Sequence, residues 1–294
     1  MLPSLLLQAI QTACATSSPR THRIVARFIA SFQYALSRSR RSAVLENLAQ
    51  IAASGYPGLA SPGARARAAK SMFESLQLSW IEYFAELPER NERRDLAPRF
   101  RGTELLYHAL ARGRGAVIAA PHVGSWELAG LALARLGLEV HAVSGVQIHP
   151  ILARSLRDRK ARQGIVIRTP DEGFAPLVAA LRRGAVVVLL VDGDIYSRSL
   201  PAPFFGRATP FPAGPAILAR RARVPILHAH ATRGENGSHE VSFDGLDEPD
   251  PGLGFAEDLA RLTTLVARSQ ERTIAANVTQ WCIFRPLWNA ADAA

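Results

Sequence analysis

Short apolar runs alternate with helical patterns between residues 116 and 243, and this alternation constrains the fold more than any other feature of the sequence. The strand-like runs cover residues 116–120, 138–143, 164–168, 185–191, 224–231 and 240–243. The helical patterns cover residues 125–136, 151–162, 174–183, 213–221 and 256–277. Strands that are separated by helices pair in parallel and are buried on both faces. The sequence therefore predicts an α/β fold with a mostly parallel central sheet flanked by helices.

The first 53 residues have a different pattern and are predicted to form an N-terminal helical arm that associates with a membrane. A stretch rich in glycine, proline, serine and alanine follows at 54–63, and the α/β domain is predicted to cover residues 64–294. Residues 1–15 are apolar but short and interrupted by polar residues. They predict neither a transmembrane span nor a cleaved signal.

Residues 22–41 combine an apolar helical stripe with repeated arginines. Ile24, Phe28 and Phe32 belong to the stripe, and Arg23 and Arg27 lie between them. A basic amphipathic helix of this kind lies on anionic bilayers. An ordinary helix that packs its apolar stripe onto the domain has the same pattern, so both interpretations stay open.

The chain is strongly basic, with 35 lysine and arginine residues against 25 acidic residues and a formal net charge of +10. This charge favours an anionic partner, such as nucleic acid, acidic lipid headgroups or a phosphopantetheine carrier. Nucleic acid is not expected, because the sequence has no zinc-finger spacing, aromatic RNA-binding motif or basic heptad helix. The two cysteines provide no disulfide framework, which favours a reducing compartment.

A histidine and a carboxylate follow the first strand-like run, in the segment P-H-V-G-S-W-E at 121–127. Most such pairs have no catalytic role, but the carboxyl end of a strand is where α/β folds place their chemistry. If His122 lies in a loop and Ser125 caps the next helix, Glu127 falls in its first turn and can reach back. His122 is then the candidate general base, Glu127 its orienting carboxylate, and Gly124 allows a ligand to approach closely.

A second acidic residue, Asp192, closes the most apolar strand-like run of the chain. It can also be an ordinary turn residue, since it begins the segment Asp-Gly-Asp. We expect it to converge with His122, because the carboxyl ends of parallel strands meet at one edge of a sheet. His228 and His230 point to one face of a strand, but without a third ligand at a recognisable spacing we predict no metal site.

Several segments resemble, in order and spacing, the lipid A biosynthesis (lauroyl/myristoyl) acyltransferases and the related phosphatidylinositol mannoside acyltransferases. They are P-H-V-G-S-W-E at 121–127, the acidic loop after 187–191, F-F-G at 204–206, G-P-A-I-L-A at 214–219 and Q-W with a second tryptophan at 280–288. The similarity spans nearly the whole chain. The E-G-T-R block typical of glycerolipid acyltransferases is absent, which favours the lipid A-type branch.

The resemblance implies an acyltransferase that moves a fatty acyl group from an acyl thioester to a hydroxyl of a membrane glycolipid, such as a lipid A precursor. The thioester, on acyl carrier protein or coenzyme A, would be a co-substrate, and no resident cofactor is expected. The resemblance also implies a peripheral position at the cytoplasmic face of the bacterial inner membrane, against an anionic lipid surface.

The same resemblance implies substrate-binding residues around His122 and Glu127. They are Asp192, Arg159, Lys160, Gly124, Ser125, Phe205 and Gly206. The family places an arginine four residues before a glycine, but Lys160 fills that position here and Arg159 precedes it. Because lysine does not bind phosphate in the bidentate way of arginine, the anion-binding residue stays open. Phe205 is also a candidate for an apolar groove, although core packing is the simpler explanation.

Two other functions stay open. A hydrolase or thioesterase would use the same histidine–glutamate pair to activate water, and would release free fatty acid without an acceptor. A non-catalytic lipid-binding protein would keep only the shape of the fold, and an acyl-transfer assay would identify it.

Overall fold

The computed structural model describes residues 2–86, 97–111, 113–143, 157–158, 160–192 and 198–288, with residues 2–7 described by their backbone alone. The strands are β1 (Arg99–Arg101), β2 (Ala116–Ala120), β3 (Val140–Val143), β4 (Ile165–Arg168), β5 (Val186–Leu190), β6 (Ser199–Phe204), β7 (Arg207–Pro212), β8 (Ile226–Arg233) and β9 (His239–Asp247). Seven of them form the central sheet in the order β1-β9-β8-β2-β5-β3-β4, and β6 pairs with β7.

Five neighbouring strands, β8, β2, β5, β3 and β4, run parallel, while β9 is antiparallel to β8 and parallel to β1. The central strand β2 is buried along its whole length, as the unbroken apolar run predicts. The predicted α/β fold with a mostly parallel sheet is therefore confirmed. All six predicted runs are strands, whereas β1 and the β6–β7 hairpin have no counterpart among them.

The helices are α1 (Leu2–Thr16), α2 (Pro19–Leu36), α3 (Arg38–Ala53), α4 (Pro62–Glu86), α5 (Thr103–Leu110), α6 (Trp126–Arg135), α7 (Ala175–Arg182), α8 (Gly214–Ala222) and α9 (Phe255–Ala276). The last four confirm predicted helices to within about one residue. The predicted helix at 151–162 falls mostly outside the described residues. None of the helices in the described ranges has the length and hydropathy to cross a membrane.

The N-terminal helices share the core of the α/β part. Ala30 of α2 and Leu48 of α3 belong to the same buried apolar cluster as Val117 of β2 and Val187 of β5. The predicted linker at 54–63 contains a short 3-10 helix whose Leu59 is buried. The arm that the sequence predicts at 1–53 is thus helical, but the core continues across its boundary.

One apolar stripe of α2 stays uncovered. It consists of Ile24, Phe28, Phe32 and Leu36, which are between 62% and 76% exposed. The opposite side of the helix, with Ala26 and Ala30, is buried and faces α4. The interpretation that this stripe packs onto the domain is therefore wrong for the described residues.

Candidate active site

His122 and Asp192 leave the sheet side by side, on neighbouring strands. Ala120 of β2 lies opposite Leu190 of β5, and each of the two residues follows two positions later. Their side chains meet, with His122 Nδ1 2.6 Å from Asp192 Oδ1. The convergence expected from the sequence is confirmed.

Asp192 is fully buried, and its second oxygen is also occupied. Oδ2 accepts a hydrogen bond from the backbone N–H of His122 at 2.8 Å and another from Trp281 Nε1 at 2.7 Å. Burial alone raises the pKa of Asp192, but the charge of His122 and these hydrogen bonds hold the pKa below its ordinary value. The carboxylate is thus ionised and can only accept, so the proton of the contact lies on His122 Nδ1.

The other ring nitrogen of His122 remains available. With Nδ1 protonated, Nε2 is the basic atom, and none of the described residues forms a hydrogen bond with it. The side chain is 19% exposed, and the imidazole meets the ring of Trp126 edge-on at 5.3 Å. The imidazole is therefore held at Nδ1 by Asp192, and its side chain remains partly exposed.

Glu127 lies in the first turn of α6, as predicted, but it does not pair with His122. Its Oε2 accepts a hydrogen bond from Lys160 Nζ at 2.7 Å, and no hydrogen bond joins it to the imidazole. The register explains the difference, because His122 is level with Asp192 on the adjacent strand. The expected His122–Glu127 pair is therefore wrong, and Asp192 takes the orienting position.

Lys160 is the basic residue that the structure places beside Glu127. Its side chain is only 15% exposed, and Nζ lies 5.5 Å from the centre of the Tyr83 ring. Arg159, the other candidate for anion binding, lies outside the described residues. Lys160 is thus a largely buried cation held by Glu127, next to the helix that follows His122.

Gly124 and Ser125 are both buried. Gly124 has φ +59°, and a Cβ there would lie 2.4 Å from the carbonyl oxygen of Ala231. Ser125 is the predicted N-cap residue of α6, but its buried hydroxyl makes no capping hydrogen bond. It donates instead to Glu82 Oε2 at 2.9 Å. Close backbone packing at Gly124 and a buried ion pair at Ser125 account for the two residues in this structure, and their predicted contacts with substrate stay predictions.

Phe205 and Gly206 form the tight turn between β6 and β7. Both have positive φ, at 48° and 76°, which is the combination that a two-residue type I′ hairpin turn requires. Phe205 has no exposed surface and packs against Tyr56, Phe204 and Trp288. The fully buried Phe205 ring does not line an open groove in this structure, whereas Gly206 is exposed, and substrate binding by the two residues stays a prediction.

A buried ion pair that the sequence analysis missed lies under the loop at 122–125. Arg233, the last residue of β8, donates from Nε to Glu82 Oε1 of α4 at 2.9 Å, and its Nη2 reaches Ser125 Oγ at 2.7 Å. Burial raises the pKa of Glu82, but hydrogen bonds and charge from His239 and Arg233 lower it to about 2. Arg233 was detectable in principle, since it lies at the carboxyl end of a parallel strand, as His122 and Asp192 do.

The described residues contain no group of three or more histidine, cysteine or acidic side chains that could hold a metal ion. His228 and His230 each pair with an aspartate instead, at 2.6 Å to Asp247 and 2.6 Å to Asp244. A cavity of about 730 Å³ lies at the amino ends of the parallel strands, next to Arg114 before β2. It is therefore at the edge of the sheet opposite to His122.

Comparison with known proteins identifies related sequences over most of the chain. The family model for bacterial lipid A biosynthesis acyltransferases matches residues 6–290. Phosphatidylinositol mannoside acyltransferases from two strains of Mycobacterium tuberculosis are each 30% identical over 253 residues, which cover 83% of this chain and 76% of the relative. The phosphatidylinositol mannoside acyltransferase of Mycolicibacterium smegmatis is 27% identical over 189 residues, covering 63% of this chain and 60% of that relative.

Proposed function

The chain belongs to the bacterial lipid A biosynthesis acyltransferase family and is an O-acyltransferase that acts on a glycolipid, and we propose that His122 is its general base. The observation that carries the proposal is the contact of His122 Nδ1 with the ionised Asp192, which leaves Nε2 as the hydrogen-bond acceptor of a side chain that is 19% exposed. A histidine held in this way accepts a proton from a hydroxyl as the hydroxyl oxygen attacks.

In the proposed reaction, the acceptor hydroxyl donates a hydrogen bond to His122 Nε2. Its oxygen attacks the thioester carbonyl, and the proton moves to Nε2 while Asp192 stabilises the imidazolium. The carbon–sulfur bond then breaks, and the thiol leaves with that proton. Backbone N–H groups in the first turn of α6 have no partner within the helix and stabilise the negative carbonyl oxygen.

The proposed donor is a fatty acyl thioester of coenzyme A or acyl carrier protein, and Lys160 binds its phosphate or that of the acceptor. Glu127 holds Lys160 in place until the anionic group arrives. Lys160→Gln should therefore raise KM several-fold with a smaller effect on kcat. Arg159 is a second candidate for the same group.

The proposed acceptor is a phosphorylated glycolipid of the membrane. A mannosylated phosphoinositide is favoured over a lipid A precursor, because the relatives at 30% identity carry the name phosphatidylinositol mannoside acyltransferase. Incubation of the purified protein with each acceptor and each donor, followed by mass spectrometry, tests this choice. The expected product is the phosphoinositide with one added acyl chain.

His122→Ala should lower turnover by roughly 10²- to 10⁴-fold, since a general base contributes about that much. His108→Ala is the matched control, because His108 is an exposed histidine on α5. Near-normal turnover of His122→Ala would contradict the mechanism. Release of free fatty acid at the same rate with and without acceptor would identify a thioesterase instead.

The proposed attachment to the cytoplasmic face of the inner membrane uses the uncovered stripe of α2. Exposed arginines such as Arg20 and Arg27 lie on the same helix, and no acidic residue precedes Glu46. An apolar stripe beside arginines matches a bilayer that contains anionic lipid.

Flotation with vesicles of phosphatidylcholine and phosphatidylglycerol tests this surface. Replacing Phe28 and Phe32 together by serine should weaken binding roughly 30- to 1000-fold, because each side chain loses about 1–2 kcal/mol of apolar burial. Phe255→Ser is the matched control, as Phe255 is 49% exposed but lies on α9. Unchanged flotation of the double variant would refute the surface.

A further inference from the structure

A short segment near residue 281 is paired with the loop that carries His122. The backbone N–H of Gly124 donates to the carbonyl of Gln280 at 3.0 Å, and that of Cys282 donates to the carbonyl of His122 at 2.8 Å. Between them, Val123 and Trp281 form an isolated antiparallel bridge. The segment therefore acts as one more strand beside the catalytic loop.

The side chain of Gln280 anchors this segment to the end of β8. Its Nε2 donates to the carbonyl oxygen of Arg233 at 2.9 Å, and its Oε1 accepts the backbone N–H of Arg233 at 2.9 Å. Two hydrogen bonds to the backbone of one residue fix both the position and the orientation of the Gln280 side chain. The ends of β8, β2 and β5 are thereby joined through residues 280–282.

Trp281 is fully buried, and its indole N–H donates a hydrogen bond to the carboxylate that orients His122. Nε1 donates to Asp192 Oδ2 at 2.7 Å, beside the backbone N–H of His122 at 2.8 Å, while Asp192 Oδ1 accepts a hydrogen bond from His122 Nδ1. A carboxylate held at both oxygens cannot rotate about its Cβ–Cγ bond without breaking a charge-assisted hydrogen bond. The plane of the carboxylate, and with it the direction of the imidazole, is fixed.

We propose that Trp281 is a positioning residue of the acyl-transfer reaction: its indole N–H, together with the backbone N–H of His122, holds the Asp192 carboxylate in the orientation that directs His122 Nε2 at the acceptor hydroxyl. The inference rests on the proposed function of His122. It assigns Trp281 no contact with substrate, so its effect must pass through Asp192.

Trp281→Phe removes the donor and keeps an aromatic ring. We expect kcat to fall roughly 10- to 100-fold, the range for a hydrogen bond to a charged group, with KM changed less than about twofold. Trp288→Phe is the matched control, because Trp288 also donates from Nε1, at 2.9 Å to Thr209 Oγ1, away from Asp192. A Trp281→Phe variant with the kcat of the Trp288→Phe variant would overturn the proposal.

A double-mutant cycle separates positioning from a general loss of structure. In an Asp192→Asn background, Trp281→Phe should lower kcat by less than about twofold, since the group through which it acts is already altered. An equal fold-change in both backgrounds would show that Trp281 acts independently of Asp192 and would overturn the proposal.

A spectroscopic measurement leaves Trp281 itself intact, so it does not depend on the folding of the Phe variant. In protein labelled with ¹⁵N-tryptophan, the indole proton of Trp281 should move upfield in Asp192→Asn, while that of Trp288 stays unchanged. An unmoved Trp281 signal would overturn the proposal. Failure of His122→Ala to lose activity would instead overturn the proposed function, so the two failures are distinguishable.

Discussion

Removing the charge of Glu82 should destabilise the protein far more than removing a similar charge on the same helix. Glu82→Gln leaves Arg233 charged in a site where its side chain is only 8% exposed. Breaking a buried ion pair at one partner costs about 3–5 kcal/mol. The pKa of Glu82 agrees with the lower end of this range. A carboxyl group whose pKa falls from 4.5 in the unfolded chain to about 2 in the folded protein contributes about 3 kcal/mol to the free energy of unfolding.

Equilibrium unfolding in urea, followed by tryptophan fluorescence at neutral pH, measures this free energy. The matched control is Glu74→Gln, also on α4, since Glu74 pairs at 3.4 Å with an Arg27 side chain that is 74% exposed. An exposed pair of this kind is worth about 0–1 kcal/mol. A Glu82→Gln loss below about 1 kcal/mol, equal to that of the control, would refute the reasoning.

The Glu82–Arg233 ion pair also predicts how the free energy of unfolding changes with pH. The pKa of Glu82 is lower in the folded protein than in the unfolded chain, so its contribution is complete above pH 4.5 and is lost as the pH falls towards about 2. The difference in unfolding free energy between the wild type and Glu82→Gln should therefore shrink over that interval. A difference that stays constant down to pH 2 would contradict the assignment.

Three further predictions test other parts of the site and fold. Gly124→Ala should lower the free energy of unfolding in urea by at least roughly 2 kcal/mol and should also lower kcat. The reason is that Gly124 has φ +59° and that a Cβ there would lie 2.4 Å from the carbonyl oxygen of Ala231. Gly58→Ala is the control, because the space around Gly58 is open. Gly206→Ala should destabilise the hairpin by about 1 kcal/mol but leave kcat per folded molecule unchanged, and a specific loss of kcat would instead support the predicted substrate-binding role. Cys282, whose pKa burial raises to about 12, should resist alkylation at pH 8 until the protein is unfolded, as mass spectrometry of labelled peptides would show.

The parts of the fold that depend on local pattern are predictable from the sequence. The runs that become β2 and β5 are continuous and apolar because parallel central strands are buried on both faces. The meeting of His122 and Asp192 then follows from a general property of parallel sheets. Local patterns do not specify which strands are adjacent, so they do not indicate that Asp192, rather than Glu127, reaches the imidazole.

The contacts that support Asp192 and the loop at 122–125 could not be predicted from local sequence patterns, because they join distant parts of the chain. Trp281 meets Asp192 across 89 positions, and Arg233 meets Glu82 across 151. A tryptophan and a glutamate within helical or loop segments carry no local signal of such partners. The F-F-G segment has a structural explanation that the sequence did not suggest, a turn with positive φ at both central positions.

The bridge between residues 122–124 and 280–282 also orders events during protein synthesis. The strands that bear His122 and Asp192 emerge from the ribosome well before the tryptophan that completes their hydrogen bonds. A nascent chain can therefore assemble most of its sheet while its histidine is still poorly aimed. With the proposed role of Trp281, catalytic competence is acquired only after residue 281 has been made and has joined the loop that carries His122.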